Sequence, residues 1–288
     1  MSSQVTTAFV EQYKSNVMDI VQQKGSRLRN AVMTDTVQGK KKFVEQVGTT
    51  NAQLRTSRHA DSPLVNTPHL RRSLTLDDYE WGDLIDNADR VRLLIDPTDA
   101  YARNAAWAMG RAMDDVIIAA MLGTSYTGVS GGTSTALPAA SKIAAGTTGF
   151  TLAKLIEARE KLMASEVSPD EELYIALNAN HMSDLLNTTQ ITSSDYASVK
   201  ALVRGDVDSF MGFKFIHSER LTGAAADRKA IAWAKSGVQL GIGADIKASI
   251  APRADKSFST YVYYSMSLGA TRLEEEKVIE IGVKEDHS

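Results

Sequence analysis

Two periods organise the apolar positions of this chain, and each marks a kind of element. The longest helical signal runs from Asp96 to Gly123, where Tyr101, Ala105, Ala108 or Met109, Ala112, Val116 and Ala119 or Ala120 recur at steps of three or four. Asp96 or Thr98 suits its cap, Pro97 its first turn and Gly123 its end. Some 26 residues at about 1.5 Å each make a rod of about 39 Å, and its many alanines imply a closely packed neighbour. TLAKLIEAREKLMASEV predicts an amphipathic helix through Leu152, Leu155, Ile156, Leu162 and Met163. LYIALNA follows as a short buried strand, then HMSDLLN as a further helical turn or two. GFKFIH and AIAWA read as strands parted by the polar LTGAAADRK. Near the end Val262, Tyr264, Met266 and Leu268 alternate along one strand, and Ile279, Ile281 and Val283 along another, which predicts a hairpin joined by TRLEEEK. Helical spacing also marks the start, at Phe9, Val10, Tyr13, Val17, Ile20 and Val21.

Between these patterned stretches lie two that cannot form a core. From Val32 to Leu76 the apolar runs are as short as Phe43-Val44, with Gly39, Gly48, Pro63 and Pro68 as breakers. The expected form is an extended two-stranded arm that has no home within its own molecule and becomes ordered against another. LGTSYTGVSGGTSTALPAASKIAAGTTG is a Gly, Ser, Thr and Ala rich connector that divides the chain into two compositionally different halves. Two lobes therefore fit its 288 residues, in an α+β class with a mixed α/β layer in the second half.

Charge sharpens this picture. The net charge is only −3, yet Lys24 to Leu76 holds ten basic residues against three acidic, and Asp77 to Asp99 holds eight acidic residues against two arginines. Adjacent segments of opposite sign invite pairing. No cysteine is present, which removes disulfides and thiolate chemistry and suits a reducing compartment. The first thirty residues lack the apolar run of a signal peptide, and no stretch reaches the roughly eighteen apolar residues that span a bilayer.

Candidate chemistry is sparse. DDYEWGDLID, Asp77 to Asp86, places five carboxylates within ten residues, but Tyr79, Trp81, Leu84 and Ile85 interrupt any calcium-loop order. A charged interface or solvated edge explains the cluster better than a metal or acid–base site. GVSGGTST lacks the lysine of a phosphate loop and follows a helix, so it reads as a flexible connector. The histidines His59, His69, His181, His217 and His287 show no ligand spacing and read as surface or locally satisfied residues. Lys40, Lys41 and Lys42 with Arg55 and Arg58 lack the aromatic interleaving of a single-strand binder, on a chain that is acidic overall. Trp107 and Trp233 are expected in the core, and Trp81 at the root of the arm. No catalytic, cofactor-binding or metal-ligating residue emerges.

The order of parts, with FVEQVG (Phe43 to Gly48), DYEWGDLID (Asp78 to Asp86), DPTDAY (Asp96 to Tyr101), GRAMDDVIIAAMLG (Gly110 to Gly123) and GATRLEEEKVIEI (Gly269 to Ile281), resembles the major capsid proteins of tailed bacteriophages. That resemblance covers nearly the whole chain and implies the HK97-type fold. By it, residues 1–33 form an N-terminal arm and 34–80 an extended loop over a neighbouring subunit. Residues 81–149 form a peripheral domain with a spine helix at about 97–122, residues 150–260 an axial domain, and 261–288 strands returning to the periphery. Some relatives cross-link the extended loop through a Lys and an Asn; no Asn is assigned here, and Lys40, Lys41 and Lys42 all stay open for the Lys.

The resemblance implies a non-enzymatic shell subunit with no cofactor, made in the host bacterial cytoplasm and found in the virion. Its partners would be copies of itself in hexamers and pentamers, a separate scaffolding protein, a portal, and in some cases a decoration protein. It would enclose double-stranded DNA without sequence-specific binding and would touch no membrane. The expected inter-subunit contacts set Lys40, Lys41, Lys42, Arg55 and Arg58 against Asp77, Asp78, Glu80, Asp83 and Asp86. Two alternatives are an encapsulin-like compartment and, in a different class, an α/β enzyme using the Asp77–Asp86 carboxylates. Enclosed cargo without DNA would mark the first, and turnover by a dispersed monomer the second.

Overall fold

A computed structural model describes residues 22–58, 61–86, 98–187, 209–224 and 227–285. The expected N-terminal helix, Asp96, Pro97, His59 and His287 lie outside the described residues. The chain divides into two compact units, one drawn from Met1–Ser26, Asp78–Ala112 and Ala244–Ser267, the other from Arg27–Asp77, Met113–Gly243 and Leu268–Ser288.

The larger unit is built on a six-stranded mixed sheet. Its strands are β7 (Lys142–Ile143), β8 (Leu173–Leu177), β9 (Ser209–Phe210), β10 (Phe213–His217), β11 (Arg228–Ala234) and β14 (Val278–Val283), in the order β7-β14-β11-β8-β10-β9. Helix α2 (Leu152–Ala164), capped where the Thr151 hydroxyl accepts from the Lys154 amide, belongs to this unit with α3 (Ala179–Asn187). Leu155, Ala158 and Leu162 of α2 and Leu185 of α3 join Ile175, Leu177, Phe213, Ala230, Ala232, Ile279 and Ile281 in one core. Trp233 is also fully buried, donates to the Ala31 carbonyl at 2.8 Å and stacks on Tyr174.

The strand pair expected at the C-terminus does not form. β13 (Ser259–Arg272) lies in a sheet of order β1-β12-β13-β4, with β1 at Met33–Thr36, β4 at Asp77–Ile85 and β12 at Val238–Arg253, whereas β14 pairs with β11 and β7. The reason lies in burial: all six residues of β14 are buried, as befits an interior strand, while most of β13 alternates between more and less exposed positions. Alternation reveals which face a side chain takes and not which strand lies alongside. The partner of β13 is instead β12, which sequence reading missed although Val238, Leu240, Ile242, Ala244, Ile246 and Ile250 alternate with polar or glycine positions; its second half is largely exposed.

Helix α1 spans Thr98–Leu122, close to expectation, but its buried stripe differs. Ala105, Met109, Met113, Ile117 and Met121 are buried, with Asp114 and Ile118 beside them, whereas Tyr101 and Ala119 are exposed and Ala112 and Val116 half-buried. Small residues fit either face, so the alanines did not locate the contact. The bulky Met and Ile residues did. Gly123 ends the helix where an added Cβ would sit 2.6 Å from the Ala119 carbonyl oxygen.

Asp114 and His181 are among the buried polar groups that the sequence did not announce. Asp114 is sealed from solvent and accepts from the amides of Arg27, at 3.0 and 3.2 Å, and Leu28, at 3.1 Å, just before the short 3-10 turn Arg29–Ala31. His181, expected at the surface or locally satisfied, is fully buried against Phe150 with neither ring nitrogen hydrogen-bonded. Trp107, expected in the core, is half-buried beneath Lys24 Nζ, 5.4 Å from its ring centroid.

Candidate assembly surface

The basic segment forms the expected two-stranded arm. β2 (Lys41–Val47) and β3 (His69–Thr75) pair antiparallel from Lys41 opposite Thr75 to Val47 opposite His69. The Gly48 amide donates to the Pro68 carbonyl at 2.8 Å, after which strand structure stops. Beyond it, residues 49–58 and 61–68 are exposed throughout, and Leu54 and Leu64 stand 89% and 91% exposed. Arg55 and Arg58 share this tip, with Arg55 Nε donating to the Ser57 carbonyl at 3.0 Å.

The root of the arm corrects the expectation that the segment has no home in its own molecule. β3 pairs with β5 (Ser125–Thr127), and β5 with β6 (Thr133–Thr135), giving the order β2-β3-β5-β6. The stretch read as a flexible connector is therefore a small hairpin that receives the arm. Leu74 is buried at 1% exposure. Lys42 Nζ lies 2.5 Å from Asp35, and this hydrogen bond holds the Asp35 carboxyl below its ordinary value. Lys41 Nζ donates to the Ser130 carbonyl at 3.0 Å and sits over the Phe43 ring, while Arg71 pairs with Glu45 across the strands at 2.5 Å. Lys41 and Lys42 thus bind within their own chain, and the cations farther out, Arg55 and Arg58, stand at the tip.

Beneath the root lies a buried ionic cluster that sequence reading did not single out. Arg72 Nη2 donates to Glu275 at 2.5 Å and Arg72 Nη1 to the Ser125 hydroxyl at 2.9 Å. Arg272, fully buried, donates to the carbonyls of Met121 at 2.7 Å and Gly123 at 2.8 Å, which end α1, and to Thr135 at 3.2 Å. Burial pushes the Arg272 guanidinium below its ordinary value, and nearby Glu275 opposes that shift. The one available signal was the charged run TRLEEEK between two apolar strands, which gave no hint of burial.

The carboxylates of Asp77–Asp86 lie on and just beyond β4, the edge strand of its sheet. Asp77, Asp78, Glu80, Asp83 and Asp86 are exposed, while Ile85 is buried and Trp81 meets Tyr264 edge to face at 6.5 Å. Tyr263 hydrogen-bonds Glu80, which raises the phenol above its usual range. Charges along an open edge strand discourage indiscriminate strand pairing. Among the described residues no three His, Asp or Glu side chains are grouped to hold a metal ion, and no helix is long and apolar enough to cross a membrane.

An exposed arm on a buried root, and an edge strand that carries carboxylates, each suit contacts between copies. The decisive comparison is with protein families: residues 5–285 match the model of the phage capsid protein family. The chain belongs to that family. Its fold is that of the HK97-type capsid proteins. The capsid of cyanophage P-SCSP1u is 18% identical with a TM-score of 0.75 over 97% of this chain and 94% of that one. That of Ralstonia phage GP4 is 10% identical with a TM-score of 0.73 over 96% and 95%, and that of cyanophage Pam1 12% identical with a TM-score of 0.72 over 98% of each. No curated protein matches by sequence. This phage capsid protein is a structural component of the virion, and its family favours the phage shell over the encapsulin-like and enzymatic alternatives.

Proposed function

We propose that this capsid protein closes an icosahedral shell around double-stranded DNA by laying its arm across a sister copy. Structures of similar proteins are described as an asymmetric unit of a mature capsid and as capsids with C5 symmetry, which supports assembly from many copies. The observation that carries the reading is the arm tip, where Leu54, Arg55, Arg58 and Leu64 are exposed on an arm whose root is built in. Burying each leucine on a neighbour is worth roughly 2 kcal/mol. An exposed ion pair adds only about 0.2 to 1 kcal/mol, but such pairs recur in every copy of a closed shell.

In this reading Lys40, Lys41, Lys42, Arg55 and Arg58 face Asp77, Asp78, Glu80, Asp83 and Asp86 of the neighbour. Arg55 and Arg58 carry the larger share because Lys41 and Lys42 also serve their own chain. The parts act as an N-terminal arm (1–33), extended loop (34–80), peripheral domain (81–149 and 261–288) and axial domain (150–260). Copies form hexamers and pentamers in the host cytoplasm with a separate scaffolding protein and a portal, and in some shells a decoration protein. The acidic total weakens binding of packaged DNA to the wall.

Electron microscopy and sedimentation of the full chain test this. Arg55→Glu with Arg58→Glu is expected to cut shell yield about tenfold or more at physiological salt, and Asp78→Lys with Glu80→Lys to restore part of it. Unchanged yield and salt dependence in the arginine variant would overturn the pairing, and tight DNA binding by intact subunits would overturn the passive wall.

A further inference from the structure

The arm is attached by little backbone. β3 meets β5 at only two register positions, Arg72 opposite Thr127 and Ser73 opposite Tyr126. With so short a ladder, the direction of the arm rests largely on side chains at its root, including Leu74, Lys41 and Gln46. What lies under it is more specific: Arg72 reaches Glu275, Arg272 Nε lies 3.7 Å from the same carboxylate, and Ser125 donates to it at 3.2 Å. The Ser141 hydroxyl holds the Glu275 backbone carbonyl at 3.0 Å. Arg272 in turn grips the final carbonyls of α1, where the helix dipole places partial negative charge. One carboxylate and one helix end thus answer two guanidinium groups.

The arrangement is poorly explained by stability. Charges this deep forfeit in desolvation most of what pairing returns, and apolar residues of similar volume commonly do as well. The Nε groups of Arg72 and Arg272 are buried without a hydrogen-bond partner, a further cost. What the cluster supplies and an apolar patch does not is direction, because the rigid Arg72 fork must meet Glu275 with one nitrogen and the Ser125 hydroxyl with the other.

We propose that Arg72, Glu275 and Arg272 form a latch that fixes the direction of the arm against the C-terminal end of α1, so that every copy offers its neighbour the same geometry. This rests on the reading that the arm is an inter-copy contact, and its test has one arm that does not. Arg72→Met with Glu275→Leu leaves Arg272 on the helix carbonyls, so the chain is expected to fold with near-parental near-ultraviolet dichroism. In unassembled subunits, amide exchange across His69–Thr75 should quicken about tenfold or more while that of Ile231–Trp233 stays unchanged. Shells of this variant should vary in size or stay open. Arg72→Lys keeps the charge but not the fork; it should quicken the same amides by a smaller factor, and it decides the matter if the double variant does not fold.

Parental exchange across His69–Thr75 would overturn the latch. Faster exchange with uniform parental shells would overturn its role in directing assembly. If instead the Arg55 and Arg58 variant assembles normally while the latch variant exchanges faster, the arm-contact reading fails and the latch stands as a feature of the subunit.

Discussion

His181 Nε2 lies 3.4 Å from Glu285 Oε1, an ionic-range approach in which the imidazole is fully buried and the carboxylate 5% exposed. Burial depresses the imidazole to about 4, against opposing pulls from Glu285, Asp184 and Glu219, while Arg228 adds to the depression. Burial opposes ionisation of Glu285 too, yet the Asn178 hydrogen bond and the charges of Arg228 and His181 keep its carboxyl below the ordinary range.

Acid therefore acts on stability through the buried histidine. The unfolded chain takes up the His181 proton near pH 6.5, the folded chain only near 4, so the histidine's share of folding stability should be lost as pH drops through that window, and the depressed Glu285 carboxyl extends the fall to lower pH. The loss from the histidine is on the order of 3 kcal/mol. Denaturant unfolding of subunits between these limits checks it, and His181→Gln should flatten the slope.

Asp114 should be indispensable to the entry of the chain into the larger unit. Asp114→Ala removes the acceptor of the part-buried Arg27 amide and the buried Leu28 amide and should cost about 2 to 3 kcal/mol. Asp114→Asn keeps one acceptor oxygen and should cost less; thermal unfolding ranks the two.

Gly110 reverses the usual helix rule. Glycine to alanine inside a helix commonly gains up to about 1 kcal/mol. Here an added Cβ would stand 2.5 Å from the Gly25 carbonyl carbon, which is backbone and yields little. Gly110→Ala is expected to lower the melting temperature, and a rise would show that residues 25 and 26 move aside freely.

Trp233→Phe should cost about 1 to 2 kcal/mol through the lost bond to the Ala31 carbonyl, and Trp233→Ala about 3 to 5 through the cavity as well. Chemical denaturation of the unassembled subunit measures both.

Local periodicity carried much of the fold. α1, α2, β8, α3, β10 and β11 fall where spacing and terminators placed them, because an amphipathic face is a local property of a chain. The two-stranded arm was legible from breakers and the lack of core formers, and its exposed tip agrees. The acidic strand was legible as charge, and its place at a sheet edge only in the structure.

Strand partners were a different matter. β13 and β14 are six residues apart in sequence yet enter different sheets, and the apolar alternation of β12 from Val238 to Ile250 names a face but not a partner. The root cluster was equally hidden: Arg72, Arg272 and Glu275 are ordinary charged residues in three-letter arithmetic, and two lie in a run that reads as solvated. Composition and periodicity were enough to state which segments are helix, strand or arm and where charge gathers, since those depend on neighbours a few residues away. Only the folded chain decides which strands lie side by side and which ions are sealed, because these are set by groups as far apart in sequence as Arg72 and Glu275, and burial has no local signature.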